Sequence, residues 1–106
     1  MIRSLLYLRP REDRQTEIVE FYRRHGVLER AAEEDGCLSA ELQLPTDSSG
    51  AVLVTDLWRD AEAYRGWLEN PARAEHADEL GGLVEGFNEG VSGETYEIVL
   101  ATGSSR

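Results

Sequence analysis

Four side chains in one short segment could act together on a flat organic molecule: Trp58, Tyr64, Trp67 and His76. The two indoles offer broad apolar faces with one N–H each, Tyr64 offers a hydroxyl that donates or accepts, and imidazole ordinarily titrates near neutrality. Such a set can line a pocket, hold a ring and take up a proton, so His76 is the first candidate for a general base. Each residue also has a plainer reading. A Trp ending a strand, and a Tyr and a Trp three residues apart on a helix, equally serve an ordinary core, and a His following Glu75 is commonplace on a helix surface.

The elements around these residues carry clear punctuation. Val52–Leu57 reads as an apolar strand ending at Trp58, and Asp60 stands where an N-cap carboxylate accepts the first free helix N–H groups. Asn70-Pro71 repeats the signal, predicting a second helix that carries His76. Upstream, Ile2–Arg9 reads as a strand with apolar residues on both faces, stopped by Pro10. From Asp13, taken as the cap, to about Glu34, the positions Ile18, Phe21, Tyr22, His25, Leu28 and Ala32 recur at helical steps, with Gly26 as a possible kink. Asp35-Gly36 turns the chain into a strand Cys37–Leu44, with Leu38, Ala40, Leu42 and Leu44 on one face. The polar loop Pro45–Gly50 joins it to the next strand as an antiparallel hairpin. A helical stretch to about Glu85 leads into a connection through Gly86, Asn88 and Gly90. The strand Thr95–Ala101 and a frayed tail over 102–106 follow.

The order is β-α-β-β-α-β, the ferredoxin-like arrangement of the α+β class, in a single domain over 1–106. Its helices cover one face of an antiparallel sheet, and the apolar second face predicts a homodimer packed sheet on sheet. A pocket would then lie within each subunit, between sheet and helices.

Composition narrows the partners. The net charge of -10 repels phosphate backbones and anionic lipid, so neither nucleic acid nor membrane is expected. Every basic residue is Arg, which excludes a lysine Schiff base and a P-loop lysine. The apolar run before Arg9 is too short for a signal peptide and no run approaches a membrane span, pointing to the cytoplasm. Cys37 is the lone cysteine and reads as structural. Glu33-Glu34-Asp35 and Asp78-Glu79 read as solvated faces, without the spacing of a metal site.

Trp58, Ala63-Tyr64 and Trp67-Leu68, set in this order of elements, resemble the antibiotic biosynthesis monooxygenase family of dimeric α+β barrels. The resemblance implies an enzyme without bound cofactor that oxidises a phenolic or anthrone-like aromatic polyketide intermediate with O2, in natural-product biosynthesis. It assigns catalysis to Trp58 and Tyr64, with Val54 where the quinone-forming branch has an asparagine; Trp67, by its broad indole face, is the candidate for substrate contact. A haem-degrading branch uses a Trp and a His spaced as Trp67 and His76 are, plus an asparagine on the first strand, at whose place this sequence has Tyr7. Haem is therefore the alternative cofactor. A non-catalytic dimer that holds a hydrophobic metabolite is the alternative from another class.

Overall fold

The computed structural model describes residues 1–47, 49–87 and 93–103. Four strands, β1 (Ile2–Leu8), β2 (Cys37–Gln43), β3 (Val52–Trp58) and β4 (Gly93–Glu97), form one antiparallel sheet in the order β2-β3-β1-β4. The sheet is open at its β2 and β4 edges. Helices α1 (Gln15–His25), α2 (Val27–Ala32), α3 (Ala61–Leu68) and α4 (Ala77–Gly81) supply the side chains packed on one face. This is the ferredoxin-like α+β architecture expected from the sequence.

Alternation along the strands decides which residues meet the helices. Ser4, Leu6 and Leu8 of β1 share the inner face with Val52, Val54, Asp56 and Trp58 of β3, because Ser4 pairs with Asp56 and Leu6 with Val54. Arg3, Leu5 and Tyr7 take the opposite face, across from Leu57, Thr55 and Leu53. The inner core has two parts. Leu8, Ile18, Phe21, Tyr22, Val52, Val54 and Val84 make one; Ala31, Trp58, Ala63 and Trp67 make the other. Burying each large side chain of this set is worth ~1.5–3 kcal/mol.

Several boundaries differ from those read in the sequence. The first helix is capped by Arg14 rather than Asp13, which sits in a 3-10 turn (Arg11–Asp13) and has positive φ. The helix breaks at Gly26, whose φ of +61 suits glycine alone without cost, and the break resets the helical phase. Ala31 rather than Ala32 consequently reaches the core. In β2 a bulge between Cys37 and Ser39 throws Leu38 out of register; it is 53% exposed, and Cys37, Ala40 and Leu42 hold the inner positions instead.

The last strand begins two residues earlier than expected and ends at Glu97. Ile98 donates its N–H to the Met1 carbonyl, and Val99 and Leu100 extend beyond the sheet into solvent. Asn88 and Gly90, and residues 104–106 of the expected tail, lie outside the described residues. Gly36 is required where α2 turns into β2. Its φ is +91, and a Cβ there would lie 2.5 Å from the Ala63 Cβ. Its smallness lets α3 pack directly on this turn.

Candidate active site

Between the two parts of the core lies a cavity of about 250 Å³, with the inner sheet face as its floor. Ser4, Leu6, Leu8, Val54 and Asp56 line it from the strands, Phe21 and Tyr22 from α1, and Tyr64 and Trp67 from α3. The segment Ala72–Leu80 closes the remaining side with His76, and Phe87 completes the wall.

Local sequence signals set these walls. Asp60 caps α3 as expected, accepting the Ala63 N–H at 2.9 Å, and so fixes the helix that presents Tyr64 and Trp67 one turn apart. Asn70 accepts the Ala72 N–H at 2.9 Å with Pro71 next, but the element that starts there is a 3-10 turn, Pro71–Ala74. His76 stands at the N-cap of the short α4 rather than inside a long helix. The chain beyond α4 is tied back to the end of β1 by Arg11 N–H to Leu83 O (2.9 Å) and Glu85 N–H to Arg9 O (2.8 Å).

Of the residues singled out in the sequence, Val54, Tyr64, Trp67 and His76 meet in this cavity. Tyr64 is half-buried, and its hydroxyl reaches the start of β4, 3.4 Å from where a Cβ on Gly93 would stand. Trp67 is buried and lines the cavity. The His76 ring stacks on His25 with centroids 3.7 Å apart and meets Phe21 edge-on. His25 thus backs the wall residue His76 from α1 without lining the cavity itself. Its Nε2 lies 2.9 Å from Glu79, which also pairs with Arg24. Burial and the neighbouring His76 push the His25 pKa down, since two stacked imidazoles resist being charged together.

Two of the expected residues lie elsewhere. Trp58 is fully buried behind the cavity and gives its indole N–H to Ser4 Oγ at 2.9 Å, leaving no donor for a ligand. Tyr7 occupies the outer face of the sheet, 43% exposed, because Leu6 and Leu8 take the inward positions. It cannot reach the cavity of its own chain.

The sequence reading passed over Asp56. This carboxylate lies on the cavity floor, 7% exposed, directly across the β1–β3 pair from Ser4, and its Oδ1 has no hydrogen-bond partner among the described residues. Burial pushes its pKa up to about 6, opposed by the charge of Arg73. Tyr22, 6% exposed, has its pKa raised first by burial and then by Asp56. Burial also raises Tyr64, with Asp56 adding to the effect and Arg73 opposing it. The signal was present in the strand VLVTDLW: an acid shares the inward parity of Val52, Val54 and Trp58. An apolar hollow holding a free carboxylate oxygen, a phenol and an imidazole can bind a flat molecule and remove a proton from it. Among the described residues, no three His, Cys, Asp or Glu side chains gather to hold a metal ion. No helix among them is long and apolar enough to cross a membrane.

The family model described as antibiotic biosynthesis monooxygenase matches residues 1–79. No curated protein matches the chain. Among solved structures, a candidate antibiotic biosynthesis monooxygenase of Deinococcus radiodurans superposes with a TM-score of 0.76 at 18% identity, covering 100% of each chain. One from Nitrosomonas europaea gives 0.75 at 15% identity, over 94% of this chain and 100% of that one. The haem degrader MhuD of Mycobacterium tuberculosis, solved with two haems in its active site, gives 0.74 at 20% identity, over 97% and 100%. At these identities the likeness shows the fold alone.

Proposed function

The chain belongs to the antibiotic biosynthesis monooxygenase family, and from that premise we propose that it is an oxygenase acting on a phenolic or anthrone-like aromatic compound in the helix-side cavity, with O2 and no bound cofactor. The observation that carries this reading is the cavity itself. Its 250 Å³ lies just under the ~300–1,000 Å³ of pockets that enclose drug-sized ligands, a size suited to a few fused rings.

In the proposed reaction an acidic C–H or O–H of the substrate loses its proton, and the electron pair spreads through the rings as an enolate or phenolate. That electron-rich anion reduces O2. For an anthrone methylene, a hydroperoxide forms at the carbon and collapses to a carbonyl with loss of water, so one O2 yields one quinone and one water. Trp67 supplies a face against the rings, and Val54 supplies part of the floor. In this reading the Tyr64 hydroxyl donates to the substrate oxyanion. The low polarity of the walls shields the anion from water. We place the pocket inside each protomer of a homodimer. The second copy would cover the outer sheet face, where Tyr7 and Tyr96 are 43% and 56% exposed.

Oxygen uptake with anthrone tests this reading. Wild type should exceed the buffer rate. Tyr64→Phe should lose about tenfold, the worth of one hydrogen bond of ~1.5 kcal/mol to a charged oxygen. Rates equal to buffer would reject oxygenation of this substrate and leave a metabolite-binding protein. Haem is the second reading, favoured by Trp67 and His76 sharing the cavity. Imidazole is a common iron ligand, and a tetrapyrrole, larger than a compound that 250 Å³ encloses, would extend out of the cavity mouth. A Soret shift on adding haemin that His76→Ala abolishes would move the assignment to haem.

A further inference from the structure

We propose that Asp56 is the catalytic base of this cavity, taking the proton from the acidic C–H or O–H of a ring substrate seated against the inner face of the sheet. The inference rests on the cavity reading above and names the group that begins the reaction. A strand position between Val54 and Trp58, facing the helices, is one where an apolar side chain would pack at no electrostatic cost. Burying a carboxylate there without a partner is costly, and such groups concentrate where chemistry needs them.

Asp56 has no ion pair among the described residues, caps no helix, lines the hollow, and keeps a buried Oδ1 without a hydrogen-bond partner. The other buried atom without a partner, Gln43 Oε1, makes a useful contrast. It belongs to a side chain on the outer face, whose nitrogen already donates to Glu41 and Thr55, and it is not among the residues lining this cavity. His76, the base expected from the sequence, is a poorer candidate. Its side chain is 37% exposed and one ring face is covered by His25.

The step balances without an oxidant. The substrate C–H or O–H bond breaks, the proton passes to the Asp56 carboxylate, and the electron pair enters the rings to appear on the substrate oxygen. Oxidation follows only when O2 accepts those electrons. The titratable and charged groups around Asp56 are Tyr22 from α1, Cys37 from β2, Tyr64 from α3 and Arg73 from the 3-10 turn. The two phenols and the thiol stay neutral at physiological pH, because burial and Asp56 itself raise all three. Asp56 is ionised, and thus a base, above about pH 6.

Anaerobic hydrogen–deuterium exchange at the methylene of anthrone, followed by NMR in D2O, isolates this step from oxygenation. Wild type should accelerate exchange over buffer, with the rate falling as pH drops through about 6. Asp56→Asn should lose at least ~100-fold, the lower range for general base catalysis, together with the pH limb. His76→Gln should lower the rate less than Asp56→Asn does and should keep the pH limb. Circular dichroism of Asp56→Asn should match wild type, so the loss is not a loss of fold. Wild-type exchange by Asp56→Asn, a loss that falls on His76→Gln instead, or no acceleration by wild type would each overturn the proposal. Oxygen uptake run in parallel separates the two ideas. Exchange that depends on Asp56 without uptake rejects the oxygenase reading alone, whereas uptake with exchange insensitive to Asp56 rejects the base alone.

Discussion

Replacing Asp56 by Asn should make the protein more stable at neutral pH, by an amount that follows from the burial of the carboxylate. In the unfolded chain this acid titrates near 3.8, and in the folded protein near 6. The folded state therefore holds the proton more tightly. Its contribution is fully present below the lower value and is lost as pH rises through the upper one. At ~1.36 kcal/mol per pH unit, the gap between the two values means that ionised Asp56 opposes folding by about 3 kcal/mol above pH 7. That is a large share of the ~5–15 kcal/mol that holds a domain together. Asn has the same shape and carries no charge.

Urea unfolding of both proteins at fixed concentration, which holds any association constant, gives the comparison. The advantage of Asp56→Asn over wild type should grow by about 2–3 kcal/mol between pH 4 and pH 8. Exposed carboxylates titrate alike in both proteins and cancel. A variant that is no more stable relative to wild type at pH 8 than at pH 4 would mean that the carboxylate is well partnered, and the argument for an unsatisfied acid on the cavity floor would fail.

Other outcomes follow from the same geometry. Trp58→Phe should destabilise by ~1–3 kcal/mol, because Ser4 loses its donor and a void opens in the core. Oxygen uptake per folded molecule should remain within a few-fold of wild type, and a specific loss of activity would return Trp58 to the site. Tyr96→Glu, on the outer face beside Arg3 and Leu57, should halve the mass measured by light scattering without changing circular dichroism. An unchanged mass would mean that this face carries no interface.

Much of the fold was legible because its signals are local. The Asp60 cap, the Asn70-Pro71 start, the break at Gly26 and the β2–β3 hairpin each depend on a few adjacent residues, and each is present. What failed depended on distant partners. The long helix expected to carry His76 became a 3-10 turn and a single short helix, held by ties to the β1 end that no local pattern announces. β4 starts at Gly93 because Leu6 of β1 lies opposite, while Val99 and Leu100 find no neighbour despite a strand-like composition.

The site was legible by half for the same reason. Both faces of β1 are apolar, so its own sequence does not say whether Tyr7 or Leu6 turns inward; pairing with β3 decides. The aromatic pattern singled out Tyr64 and Trp67, which line the cavity, and also Trp58, which does not and whose N–H is consumed by Ser4. Asp56 was visible as an acid on an apolar parity. Its burial and free oxygen needed the three-dimensional structure.

The central claim is that ligand binds on the helix side of the sheet. Titration of isotope-labelled protein with an unreactive hydroxyanthraquinone, followed by NMR, tests it most directly. The expected result is saturable shifts of the Trp67 indole, Tyr64, Val54 and His76 signals, with Leu53, Leu57 and Tyr96 unmoved. Shifts confined to those outer-face residues, with the cavity residues silent, would contradict it.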